Sequence, residues 1–225
     1  MWQRQFMKFD ESVPSADRRK IKQALRDIKA YGGAQQRATA RFIEDSEISI
    51  HLGLAKDVGG SGSILVERII AANWAISRGG LTVFEAAKFL RLNIARETID
   101  TGGQRGIEGT FVHEGKHARD FALMLANFSD GGEQKYFDPT AFQREYSAHL
   151  TSAFYLVRRG GEFAAEGVSL GILFENGGKI CVSPEGIRAR LENNYGLTPE
   201  APGRRLSELS YPNFAPRGSR LWGLL

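Results

Sequence analysis

The sequence predicts an α+β fold in which a small, twisted, mainly antiparallel sheet supports two helices that carry the chemistry. Three observations lead there. The stretch EISIHLGL alternates apolar and polar residues with period two, as a half-buried strand does. Residues 14–30 and 110–128 instead repeat apolar side chains at helical spacing. The second of these stretches, TFVHEGKHARDFALMLANF, sets His113 and His117 four residues apart, so both imidazoles project from one helix face and can share a divalent ion.

A chain of 225 residues, 42% hydrophobic and 25% charged, has the composition of one globular domain with a substantial core. The expected organisation is a single domain with a helical segment over 1–44, a core over 45–160 that contains the histidine helix, and an extension over 161–225. The single cysteine, Cys181, excludes an intramolecular disulfide framework and a multi-cysteine zinc site, which leaves histidine and carboxylate as metal ligands. No apolar run is long enough to span a bilayer. The opening MWQRQFMKFDESVP lacks the apolar region of a secretory signal, so export would use a signal-independent route. The net charge of +4 is partly concentrated in Arg18, Arg19, Lys20 and Lys22. Asp17 and Asp27 flank this run and no aromatic residues interleave with it, so it reads as a solvated helix face and not as a nucleic-acid site.

Taken in order, Pro14 and Ser15 open an amphipathic helix bearing Ile21, Leu25 and Ile28, which Tyr31, Gly32 and Gly33 stop. AQQRATARFIEDS reads as helical or irregular. A strand follows, with Ile48, Ile50 and Leu52 on one side and Ser49 and His51 on the other. After VGGSGS, the run ILVERII favours β structure, and NWAIS and LTVFE could flank Arg78, Gly79 and Gly80 as a hairpin. Thr82 and Glu85 form a capping box for a short turn over 83–88, and a strand is expected at 89–97 before a TGGQRG loop. The histidine helix should run from Thr110 to Phe128, with Phe111, Gly115, Ala118, Ala122 and Leu125 facing the core. Asp138 and Pro139 suit the start of a helix reaching Arg159. A GlyGly turn, the β-like KICV and a helix from Ser183 or Pro184 to Tyr195 come next, then a tail packed by Trp222, Leu224 and Leu225.

A catalytic zinc takes three protein ligands and keeps a position for water, so two histidines are an incomplete site. Glu114, beside the first histidine, falls on the flank of their face. There it can hold a metal-activated water without ligating the ion and take its proton as general base. On the next helix Glu145 shares a stripe with Phe142, His149, Ser152 and Leu156, and a carboxylate on so apolar a stripe needs a partner. An ion held by His113 and His117 would be one. Asp120, one turn beyond His117, could ligate, orient a histidine or make a surface pair, and Glu133 sits in a glycine-rich loop. His149 is a candidate donor to Glu145 or to a substrate oxyanion. Tyr155 and Tyr146 are candidate oxyanion donors, although tyrosines are commonly structural. His51 is expected to be exposed.

The HEGKH segment resembles the HExxH zincin metallopeptidases. With Leu123 six residues past the second histidine, the metzincin arrangement is excluded. A glutamate on a second helix makes the chain similar to the gluzincin branch, over residues 45–160. That resemblance implies a zincin-like fold with an edge strand, Zn2+ held by His113, His117 and Glu145, and hydrolysis of a polypeptide substrate. Gly115 departs from the family, in which this position often carries an apolar side chain. The GTFVHEGKH core also looks like metallopeptidase domains of bacterial effectors and polymorphic toxins, implying secretion into a target cell and an immunity or inhibitor protein. Two other readings are a zinc amidase acting on peptidoglycan, and a basic protein-binding module in which the motif is incidental.

Overall fold

Residues 7–67, 69–129, 138–160 and 170–209 are described in the structure, a computed structural model. The chain enters through a two-residue strand, β1 (Lys8–Phe9), and α1 (Ser15–Tyr31) buries Ile21, Ala24, Leu25 and Ile28 at the predicted spacing. Gly32 ends α1, its N–H returning 2.9 Å to the Ile28 carbonyl. The basic run is engaged locally. Arg18 donates to the carbonyls of Val13 and Asp10, Lys22 lies over Phe9, and Lys20 pairs with Asp17.

AQQRATARFIED is helical as α2 (Ala34–Asp45), and the expected strand forms as β2 (Ser49–Gly53), with Ile50 and Leu52 buried. A single turn, α3 (Ala55–Val58), leads to β3 (Gly62–Val66). Beyond Val66 the hairpin expectation is overturned. α4 (Ile69–Arg78) occupies its first arm, and Gly79 and Gly80, at φ 78° and 72°, end that helix instead of turning a hairpin. Ala72 and Ile76 are the reason, because one helical turn apart they both enter the core. The capping box of Thr82 and Glu85 opens α5 (Val83–Ala86), and a 3₁₀ turn delivers β4 (Leu90–Ala95), as expected.

The strand order is β1, β2, β4, β3, with both pairings of β2 parallel and only β3 against β4 antiparallel. The sheet is therefore small and mixed, not mainly antiparallel. Its connections explain this: α1 and α2 separate β1 from β2, and the β3 and α4 excursion separates β2 from β4, so each returning strand runs in the same direction. β3 remains an outer edge.

After α6 (Arg96–Asp100), α7 (Gly103–Ser129) starts well before Thr110, so TGGQRG is not a loop. Only Gly103, at φ 62°, uses a left-handed conformation there. Helices α1, α2, α4, α5 and α6 all pack on α7. α8 (Ala141–Arg159) packs on it too, and it is capped by Thr140 and Gln143 instead of Asp138. The Thr140 hydroxyl accepts the Gln143 N–H while the Gln143 side chain accepts the Thr140 N–H, satisfying two donors that Asp138 would have to reach from farther away. β5 (Leu173–Asn176) and β6 (Lys179–Val182) form a hairpin through Gly177 and Gly178, both at positive φ. α9 (Pro184–Tyr195) is capped by Ser183, and α10 (Leu206–Leu209) follows a segment whose Arg204 and Pro202 carbonyls accept from Ala141 and Phe142 of α8. The expected tail packing of Trp222, Leu224 and Leu225 lies outside the described residues. One continuous core extends from Val13 to Leu206, and no described helix is long and apolar enough to cross a membrane.

Gly115 is accounted for by α2. A Cβ there would lie 2.6 Å from Thr39 Cγ2 and 2.7 Å from Ile43 Cδ1. Alanine gains about 1 kcal/mol of helix propensity but overpacks this contact at about 1–3 kcal/mol. Gly115→Ala is expected to destabilise the protein by roughly 1 kcal/mol, seen as a lower urea midpoint at unchanged slope. A raised midpoint would refute the close approach.

Candidate metal centre

α7 and α8 bring together the three residues singled out as ligands. The Nε2 atoms of His113 and His117 are 3.1 Å apart across one helical turn. Glu145 spans both, with Oε2 3.4 Å from His113 Nε2 and Oε1 3.3 Å from His117 Nε2. Around a tetrahedral zinc with bonds of about 2.0–2.1 Å, ligand atoms sit roughly 3.3–3.4 Å apart, so these separations fit the edges of such a site. The nitrogen and oxygen donors also suit zinc. All three lie within 4.8 Å of one another, and neither Asp120 nor His149 belongs to the group.

The three groups also satisfy one another. Burial pushes the Glu145 carboxyl up, but hydrogen bonds with His113 and His117 outweigh it and hold Glu145 far below the usual carboxylate range. Burial opposes charge on His117, yet Glu145 more than offsets this and raises it above an ordinary histidine. Glu114 is buried beside them. Its carboxyl is raised chiefly by that burial, the two histidines opposing and Glu145 adding to the effect. Glu114 packs beneath β3, where a Cβ on residue 62 would lie 2.6 Å from its Cγ, so Gly62 provides the space it occupies.

Two adjoining cavities, of about 200 and 280 Å³, open on the centre and share Gly59, Gly62, His113, Glu114 and Tyr195. The smaller is floored by Gly106 and Gly109 of α7, which project nothing into it. His149 borders it, its ring 4.5 Å from that of His113, and its buried Nε2 has no hydrogen-bond partner among the described residues. Burial, together with His113 and Arg190, depresses the His149 pKa to about 3, so it stands as a neutral imidazole.

The other candidate residues are placed as follows. Tyr155 is fully buried and donates to Glu108 Oε2 at 2.5 Å, where Arg159 Nε also donates at 2.9 Å, so its hydroxyl ties α8 to α7 and is not directed at the donor group. Tyr146 stacks on Phe142. Asp120 accepts from Lys116 Nζ at 2.5 and 2.6 Å, a buried pair within α7 and not a ligand. His51 is not exposed: it contacts Ser49 Oγ at 2.8 Å and Asp10 Oδ1 at 3.4 Å, away from the donor group. Glu133 lies outside the described residues. Sequence reasoning missed Tyr195, Arg144, Arg190 and the glycines at 59–62 as parts of the site. Arg144 adjoins Glu145 and could have been found; Tyr195 depends on how α9 docks, which no local pattern encodes.

Comparison of the chain with protein-family models, with curated proteins and with solved structures finds no match.

Because His117 holds its proton more tightly than the ordinary value of 6.5, a zinc ion bound by this group would have to displace that proton at neutral pH and below. Zinc affinity is expected to fall about tenfold per pH unit below the raised value and to level off above it. Chelator competition measures this, and an affinity that does not change between about pH 5 and 7 would count against His117 as a ligand. Tyr155→Phe should leave zinc content unchanged while costing about 1–3 kcal/mol in urea denaturation, since it removes a buried hydrogen bond to a charged group. Loss of zinc from that variant would return Tyr155 to the site.

Proposed function

We propose that the protein is a zinc metallopeptidase, a hydrolase of the HExxH zincin type with a gluzincin-like ligand set. The observation that carries this reading is the near-tetrahedral spacing of His113, His117 and Glu145 with buried Glu114 alongside. A zinc ion held by those three residues would supply a Lewis acid, polarising a carbonyl and lowering the pKa of water.

The protein's own residues supply the remaining steps. Glu114 accepts a proton from water as the water oxygen bonds to the amide carbon. Its burial, which raises it, suits a carboxylate that must take up a proton and release it again. When the C–N bond breaks, Glu114 delivers that proton to the departing nitrogen, leaving a carboxylate and an amine. Neutral His149, its Nε2 without a partner, is suited to donate to charge developing on the carbonyl oxygen. Tyr195 borders both cavities and closes the groove from the α9 side.

The substrate is an extended polypeptide. Among the described residues β3 pairs with β4 on one side and with no strand on the other, so its Gly62–Ile64 stretch, along which both cavities lie, is suited to strand addition. That edge favours a polypeptide over a peptidoglycan amide. The local engagement of Arg18, Lys20 and Lys22 speaks against a binding module built on the basic helix.

Metal analysis of purified protein should give about one zinc per chain, with a large loss in His113→Ala. Glu114→Gln should keep the zinc and lose roughly 10²–10⁴-fold in peptide hydrolysis. Wild-type protein that binds no zinc would overturn the proposal, and a Glu114→Gln protein with full activity would remove the general base.

A further inference from the structure

Arg144 precedes the ligand Glu145 on α8 and lines the larger cavity with Val58, Ser63, Ile64 and Phe121. Only 6% of it is exposed. Among the described residues its guanidinium makes one hydrogen bond, from Nη1 to the Pro139 carbonyl at 3.4 Å, and no carboxylate lies within ion-pairing distance. Glu145, Asp120 and Asp138 reach it only through space. Glu145 is occupied by His113 and His117, and Asp120 by Lys116. A guanidinium this buried is costly without a counter-ion, and its planar fork of N–H donors matches a carboxylate. At roughly 30 Å³ per water, a cavity of about 280 Å³, which also takes in Glu114 and the donor group of His113, His117 and Glu145, has room for an acidic side chain beside them.

The cavity also has a direction. It follows β3 from Gly62, where Glu114 packs, to Ser63 and Ile64. A peptide added to this edge in the more stable antiparallel sense passes Ser63 and Ile64 with the residues that precede its scissile bond.

We propose that Arg144 makes this cavity a carboxylate-binding subsite, so that the substrate is a polypeptide with aspartate or glutamate just N-terminal to the scissile bond. This rests on the metallopeptidase reading. The net charge of +4 works in the same sense by drawing acidic chains to the protein.

The test uses the full zinc-loaded chain and a peptide library from a digested proteome, with the cut sites read by mass spectrometry. Aspartate and glutamate should be enriched on the N-terminal side of the cut, and kcat/KM for a glutamate peptide should exceed that of its glutamine twin by about tenfold or more. Arg144→Met should bring that ratio close to one, Arg144→Lys should keep part of it, and Arg144→Glu should favour a lysine peptide. Cleavage with no acidic preference, or with one on the other side of the cut, overturns the subsite and leaves the peptidase reading intact. If no peptide is cleaved, the peptidase reading fails by itself. The subsite is then decided by calorimetry of the same two peptides with Glu114→Gln protein, where equal affinity overturns it and tighter glutamate binding, lost in Arg144→Met, upholds it.

Discussion

The contact on which the rest of the structure depends is the one between Glu145 of α8 and the two imidazoles of α7. Two histidine nitrogens 3.1 Å apart form an unfavourable pair if both carry a proton, and a carboxylate that faces each of them resolves the conflict. The cost of burying Glu145 is therefore met by His113 and His117, and the same geometry suits a divalent cation. The coupling is reciprocal: whatever holds α8 against α7 sets the ligand spacing, and the ligands in turn hold the helices.

What holds them is a series of contacts away from the ligands. One turn and more before His113 on α7, buried Glu108 takes hydrogen bonds from Tyr155 and Arg159 of α8, and the Arg159 guanidinium lies 4.2 Å over the Tyr31 ring of α1. Gly115, between the histidines, lets α2 approach closely enough for Thr39 and Ile43 to pack on the helix backbone. The buried pair of Lys116 and Asp120 satisfies two charges on the next turn. The 202–206 segment fastens the start of α8 through the Ala141, Phe142 and Leu206 amides. α7 thus presents the site from one side and is held from the others, as a helix fixing a rigid ligand set must be.

The parts of this arrangement legible in the sequence were those fixed by local periodicity. Ile21, Leu25 and Ile28 gave α1, the alternation around Ile50 gave β2, Ser183 and Pro184 opened α9, and the spacings of His113, His117 and Glu145 pointed to one cluster. The reading failed where tertiary partners decide. Residues 64–78 are rich in β-favouring side chains, but only the first few find a strand to pair with, and Ala72 and Ile76 find a core reachable by a helix. Strand direction in the sheet comes from the crossovers, which no strand pattern records. Tyr155 and Glu145 share a helix and both point inward, yet one meets a carboxylate and the other two imidazoles; only the placement of Glu108 and His113 on α7 separates a brace from a ligand.

The openness of the centre bears on its use. A structural zinc site is closed by four protein ligands, whereas a catalytic one keeps a position free. Here the donor group numbers three among the described residues, and His149, whose ring lies 4.5 Å from that of His113, is not part of it. Glycines line the cavity beside the donor group: Gly59 and Gly60, both at positive φ, lead into the edge strand, Gly62 on that strand leaves room for Glu114, and Gly106 and Gly109 lie on α7. Glycines inside a helix cost stability, so Gly106 and Gly109 act against the folding of α7 while leaving a groove beside its histidines. That groove is what the proposed peptidase reading needs to admit an extended chain to a buried carboxylate: on that reading Glu114, packed against Gly62, would cut the chain and Arg144, in one cavity with Ile64, would grip it.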